Sequence, residues 1–164
     1  MADVVDTKTR SRMMARIAGR NTKPEILLRQ RLHAAGLRFR LHAASLPGRP
    51  DIALPARRIA VFVHGCFWHR HAGCHWCSTP ATRSDFWQSK FEGNRARDAK
   101  VQTALREIGW RIGIIWECGL RPPWTDATVN EVLEWIRDGS SDFESAVVRA
   151  SEIPKADSPL NRRR

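Results

Sequence analysis

The chain has 164 residues, enough for one domain with a continuous core and a tail. It contains no run of about 18 apolar residues and no apolar stretch near its start, so neither a membrane span nor a secretory signal is expected, and the cytoplasm is the expected compartment. Lysine and arginine total 28 against 17 acidic residues, a net charge of +11, which calls for a polyanionic partner: nucleic acid rather than a membrane surface, since no long basic amphipathic stretch stands out.

Residues 1–20 form a basic N-terminal arm for DNA. Within it, residues 7–19 intersperse Met13, Met14 and Ile17 among basic side chains and read as a short helix or an arm that orders on DNA. Thr22 and Glu25 then have capping-box spacing, Pro24 falls in a first turn, and Gly36 ends a helix whose apolar face carries Leu27, Leu28 and Leu32. Leu37, Phe39 and Leu41 alternate with polar residues, the signature of a strand. After a turn at Leu46-Pro47-Gly48, residues 49–54 read as a second short strand, and the continuous apolar run 59–63 as a buried central one.

Residues 64–82 are too rich in Cys, His and Trp to be a passive connection. Ser84 caps a long helix closed by Gly109, residues 110–116 form another buried strand, and Thr125 caps a last helix to about residue 137. The tail, 139–164, reads as mostly disordered. Helix, three strands, helix, strand, helix predicts a single α/β domain over 21–138, a central mixed sheet flanked by helices.

Three constellations could carry chemistry. Asp51, in Arg49-Pro50-Asp51, stands beside a strand with another about ten residues on, and a carboxylate at a strand end next to exposed carbonyls suits a hard cation such as Mg²⁺. Pro-Asp is also ordinary turn chemistry. Second, three of the four cysteines share one segment with four of the six histidines. Cys66, His71, Cys74 and Cys118 could close a tetrahedral zinc site, and spacing alone equally allows Cys77 in place of His71; a closed four-ligand site is structural. Zinc leaves His69 unused, free to act as general base or acid or to stand as a surface histidine. Third, Trp87, Lys90, Phe91, Asn94 and Asp98 share one face of the long helix, continued by Val101, Leu105 and Ile108. A carboxylate where that stripe turns inward needs a partner, which a histidine would supply. Phe67, Trp68 and Trp87 are the aromatics nearest this site, either a wedge between base pairs or packing over the loop, whereas Trp110, Trp116 and Trp135 lie on core-type elements.

These residues fall into longer motifs. HGCFWH at 64–69, SLPGRPD at 45–51, PATRSDFW at 80–87, NRARD at 94–98 and WEC at 116–118 resemble the very short patch repair (Vsr) endonucleases, in register from near residue 1 to about residue 138. The resemblance implies a restriction-endonuclease-like PD-(D/E)xK fold with an added zinc site. It further implies a Mg²⁺-dependent enzyme that nicks one strand of double-stranded DNA on the 5′ side of the thymine of a T:G mismatch, the product of 5-methylcytosine deamination. Asp51 would bind Mg²⁺ together with the backbone carbonyl of Val63, where some relatives carry threonine. His69 would be the catalytic histidine, oriented by Asp98, with Glu25 contacting water on the metal and His64 supporting the site. The implied zinc ligands are Cys66, His71, Cys74 and Cys118. Phe67, Trp68 and Trp87 would intercalate, and Met14, Lys90 and Asn94 would contact the mismatch. A monomer associated with a prokaryotic nucleoid is expected, with mismatch-repair proteins as further partners. The competing readings are a non-catalytic zinc-stabilised DNA-binding protein and a restriction-type endonuclease acting on paired DNA.

Overall fold

The computed structural model describes residues 6–16 and 19–154. In chain order the elements are α1 (Thr7–Ala15), α2 (Lys23–Ala34), β1 (Arg40–Leu41), β2 (Ile52–Leu54), β3 (Ile59–His64), α3 (Ser84–Glu107), β4 (Arg111–Trp116), α4 (Thr125–Asp138) and β5 (Phe143–Glu144). The strands form one mixed sheet in the order β1-β2-β3-β4-β5. β1 and β2, and β2 and β3, pair antiparallel; β3–β4 and β4–β5 are parallel, so α3 and α4 are the crossovers a parallel pair requires. Among the described residues no helix is long and apolar enough to cross a membrane.

The apolar run at 59–63 is explained by a core on each side of the sheet. Ile59 and Val61 pack with Leu28 and Leu32 of α2 and Val129, Val132 and Ile136 of α4, while Ala60 packs with Leu105 of α3 and with Cys66, Cys74 and Cys118. Side chains alternate across a strand, so a strand covered on both faces must be apolar throughout. β4 repeats the pattern, with Ile115 facing one core and Ile112, Ile114 and Trp116 the other. Gly113 is required there, because a Cβ would lie 2.7 Å from the Trp135 ring.

Several expectations need correction. The strand expected over 37–41 pairs only at Arg40–Leu41; Leu37 packs in the core instead, and both strand residues are exposed at the sheet edge. Ser84 lies inside α3 rather than capping it, the N-cap being Arg83 at φ +54. Thr125 is likewise the first residue of α4, its hydroxyl donating to the Leu120 carbonyl at 3.1 Å. Ile108, the C-cap of α3, is exposed, so the core-directed end of the stripe stops at Leu105. The tail is structured as far as residue 153: β5 joins the sheet, Ser145 and Val148 are buried, and a short 3₁₀ turn covers Ala150–Glu152. Residues 1–5 and Ile17 of the expected arm, and 155–164 of the expected tail, lie outside the described residues. Within the arm, α1 is a helix whose N-terminus is capped by Asp6, its carboxylate accepting from the Thr9 N–H at 2.8 Å.

Candidate active site and metal centres

Asp51 sits at the mouth of β2, where the β1–β2 register pairs Leu41 with Ile52 and so brings His42 alongside it. One carboxylate oxygen, Oδ2, accepts the Val63 N–H at 2.8 Å. The other, Oδ1, faces His42 Nδ1 at 4.0 Å. Glu25 is buried, and its Oε2 lies 4.0 Å from His42 Nε2. Burial pushes the Asp51 carboxyl up to about 6 against the pull of the Val63 N–H; Glu25 adds to the rise and His69 opposes it. The helix-start signal at Glu25 is realised in altered form. Its carboxylate takes the Asn21 N–H at 2.8 Å and the Thr22 hydroxyl at 2.9 Å, while the Thr22 side chain caps nothing.

The turn leading to Asp51 is pinned from the opposite side. Gly48 has φ +71, and a Cβ there would stand 2.3 Å from Val101 Cγ1. Val101 is one helical turn beyond Asp98, so α3 registers the Asp51 turn against the residues of its own inner face.

Asp98 Oδ2 meets His69 Nδ1 at 2.6 Å. The carboxylate selects the tautomer with the proton on Nδ1, leaving Nε2 as an acceptor. His64, at the end of β3, stacks on His69 with ring centroids 3.8 Å apart and planes 10° from parallel. Burial, and after it the neighbouring His69, hold His64 down to about 3, so it is a neutral plate that fixes the plane of His69. β3 links this pair to Asp51: the Val63 N–H bonds Asp51 Oδ2, and the next residue, His64, stacks on His69.

Cys66, His71, Cys74 and Cys118 are all buried, with donor atoms within 4.8 Å of one another. His71 Nδ1 lies 3.7 Å from Cys66 Sγ and 3.5 Å from Cys118 Sγ. Zinc bonds of about 2.3 Å to sulfur and 2.05 Å to nitrogen at the tetrahedral angle put such donors about 3.6 Å apart, so the set fits. Cys118 is drawn down to about 4, chiefly by the thiol of Cys66, with His71 adding to the effect. Cys66 is correspondingly raised by its bond to Cys118 and by burial, and burial also raises Cys74. Buried thiols that resist ionising together are what a cation displacing their protons resolves. Cys77 stands outside this set, half-buried, its N–H donating to the Cys74 carbonyl.

Trp116 joins the two centres. It stacks on His71 at 4.0 Å and meets His64 edge-on at 5.3 Å. The tail holds it: Ser145 Oγ accepts its backbone N–H at 2.8 Å and Glu144 its indole N–H at 2.7 Å. Its spacing marked Trp116 only as packing, and neither Glu144 nor Ser145 carried any signal in a segment expected to be disordered.

Phe67 makes edge-to-face contacts with Trp68, Trp87 and Phe91 at 5.1–5.4 Å, and Phe86, 48% exposed, continues the cluster. Asn94 is buried and donates from Nδ2 to the Trp68 carbonyl at 3.0 Å. Arg70 staples the loop by donating to the Ser78 carbonyl at 2.7 Å and lying 4.3 Å over the Phe91 ring. Lys90 lines an open groove of about 390 Å³ with Phe86, Ser89, Gly93, Asn94 and Arg97. Met14 is half-buried on α1 and takes no part in the aromatic cluster.

Sequence comparisons identify the family. The model of the family described as DNA mismatch endonuclease Vsr matches residues 2–76. The chain is 48% identical over 139 residues to the DNA mismatch endonuclease Vsr of Escherichia coli (strain K12), covering 83% of this chain and 88% of that one. It is 47% identical over 120 residues to the type II nicking enzyme V.XorIIP of Xanthomonas oryzae pv. oryzae, covering 73% and 88%. Against the type II nicking enzyme V.NmeAIP of Neisseria meningitidis serogroup A it is 40% identical over 121 residues, covering 74% and 86%. Near-half identity across nearly the whole of such relatives shows that the chain belongs to the Vsr family of DNA mismatch endonucleases.

Proposed function

We propose that this protein nicks one strand of duplex DNA on the 5′ side of the thymine in a T:G mismatch, opening very short patch repair of deaminated 5-methylcytosine. The observation that carries the reading is the link through β3 between Asp51, held by the Val63 N–H, and the His69–Asp98 pair, on which the adjacent His64 stacks. The fold is read as a PD-(D/E)xK variant in which Asp51 is the motif aspartate and the cysteine cluster an addition.

Asp51 Oδ1 and the main-chain carbonyl of Val63 would hold Mg²⁺, which supplies Lewis acidity toward the phosphate and its developing charge. His69 takes a proton at Nε2 from the attacking water, and the Asp98 carboxylate, bonded at Nδ1, stabilises the imidazolium that results. Neutral His64 keeps the ring in plane and contributes no competing positive charge. Glu25 stands beside Asp51 with its oxygens oriented by Asn21 and Thr22, placed to order water at the centre. Cys66, His71, Cys74 and Cys118 would hold Zn²⁺, which ties the loop carrying His69 to the end of β4.

On the DNA side, Phe67, Trp68 and Trp87 present a wedge, and a mismatched step is the least expensive to unstack. Asn94 supports it by holding Trp68, beside whatever contact it makes with a base. Lys90, Met14 and the basic arm supply the remaining DNA contacts, consistent with the net charge of +11. The reading is completed by a single working chain on the nucleoid, with repair proteins following the nick.

The test is a nicking assay on end-labelled duplexes carrying T:G, other mismatches or matched pairs, with and without Mg²⁺. A cut in the thymine strand alone, at T:G and with Mg²⁺, is expected. Equal cutting of matched DNA would make this a restriction-type enzyme, and binding without any nick a zinc-stabilised binding module.

A further inference from the structure

The Glu25–His42–Asp51 group holds one side chain that the reading above leaves unused. His42 lies just past β1 with φ +47, a conformation uncommon for residues other than glycine, which turns its ring into the pocket between the two carboxylates. Its Nε2 lies 3.3 Å from Asn21 Oδ1. An amide oxygen only accepts, so Nε2 carries the proton and Nδ1 presents a lone pair. That lone pair faces Asp51 Oδ1, the oxygen left free when Val63 N–H takes Oδ2. The separation of 4.0 Å is too long for a hydrogen bond. Two bonds of about 2.1 Å reach at most about 4.2 Å, so both atoms lie within reach of one divalent ion. An imidazole whose second nitrogen is anchored to an oxygen acceptor is the usual arrangement of a metal-ligating histidine.

We propose that His42 is a direct nitrogen ligand, through Nδ1, of the divalent cation held at Asp51, and that it gives the centre a preference for a borderline ion such as Mn²⁺ over Mg²⁺. The inference deepens the proposed function and rests on Asp51 binding a divalent cation. Mixed imidazole and carboxylate donors favour first-row transition ions, whereas oxygen donors alone suit Mg²⁺. Nothing in residues 37–41 pointed here, because the proximity arises from hairpin register rather than from spacing along the chain.

Mn²⁺ is the probe. Full-length protein with its cysteine cluster loaded with Zn²⁺ is titrated with Mn²⁺ and followed by electron paramagnetic resonance, and pulsed measurements read nitrogen coupled to the bound ion. Wild type, His42→Gln, His69→Ala and Asp51→Asn are compared, with thermal melts to verify folding. The expected result is a directly bound imidazole nitrogen in wild type and His69→Ala that disappears in His42→Gln, with Mn²⁺ affinity falling about tenfold and Mg²⁺ affinity changing much less. Mn²⁺ bound in an Asp51-dependent manner, but with the nitrogen signal absent or unaffected by His42→Gln, overturns the ligand assignment and leaves the cation site standing. Mn²⁺ binding indifferent to Asp51→Asn overturns both.

Discussion

Replacing Asp51 with asparagine separates the catalytic demand on this side chain from its effect on stability. Its carboxyl, ordinarily near 3.8, is raised to about 6 by burial, so the folded chain resists the ionised form. That resistance corresponds to about 3 kcal/mol. The sign follows from proton uptake. Below pH 4 the group is protonated whether the chain is folded or not, and nothing is lost. Between about 4 and 6 the folded chain binds the extra proton, so its stability falls as pH rises, and above about 6 the full penalty applies.

Asparagine keeps an oxygen for the Val63 N–H and removes the charge. Without added divalent ions at pH 8, the variant should therefore be more stable than wild type by about 1–3 kcal/mol, the lower end allowing for imperfect amide packing. For a chain of this size that is about 3–9 °C in melting temperature. Melts from pH 4 to pH 8 should show the two proteins converging as pH falls through 6. Added Mg²⁺ should raise the melting temperature of wild type alone, since only it gains a ligand. Nicking should fall by at least about a thousandfold, as expected when the charge organising a phosphoryl-transfer site is removed. An Asp51→Asn protein that is less stable than wild type at pH 8, or whose stability difference does not change with pH, would refute the claim that burial strains this carboxylate.

Asp98→Asn should fold normally, because the carboxylate bonds a single side chain, the partly buried His69. It should lose about 1.5–3 kcal/mol of transition-state stabilisation, or about 10–150-fold in single-turnover nicking, with DNA affinity unchanged; an unaltered rate would reduce Asp98 to a structural role. Cys118→Ser should abolish stoichiometric zinc in elemental analysis and lower the melting temperature, whereas Cys77→Ser should retain both, since only Cys118 stands in the buried cluster. Gly48→Ala forces a methyl into Val101 at a positive φ, and about 2–4 kcal/mol of destabilisation is expected from crowding and backbone strain together. Denaturant unfolding measures it, and a loss below about 1 kcal/mol would show that α3 does not pin the Asp51 turn.

What the sequence made legible follows from the range over which each feature is specified. β3 and β4 were readable because an unbroken apolar run has few uses other than a strand covered on both faces, and α3 because its buried positions recur at helical spacing from Trp87 to Leu105. Asp51 was marked by its place at a strand end, and Asp98 by the helical stripe as a carboxylate in need of a histidine; the family resemblance then named His69 as that histidine. β5 was not readable, because its two residues are held by one ladder and by Ser145 and Glu144 reaching back to Trp116, contacts that leave no local pattern.

The choice between His71 and Cys77 shows the same limit at the scale of one loop. Spacing admitted both. What decides is a pair of successive turns: the His71 N–H donates to the Cys66 carbonyl at 3.0 Å, and the Cys74 N–H donates to the His71 carbonyl at 3.2 Å. That winding gathers the side chains of residues 66, 71 and 74 about one point, with Cys118 brought to it from the end of β4, and the next turn carries Cys77 past it. His42 depends in the same way on the pairing of Leu41 with Ile52. Ligand sets are built by register and turn geometry, so residues such as these stay hidden to any reading that counts along the chain without first pairing its strands.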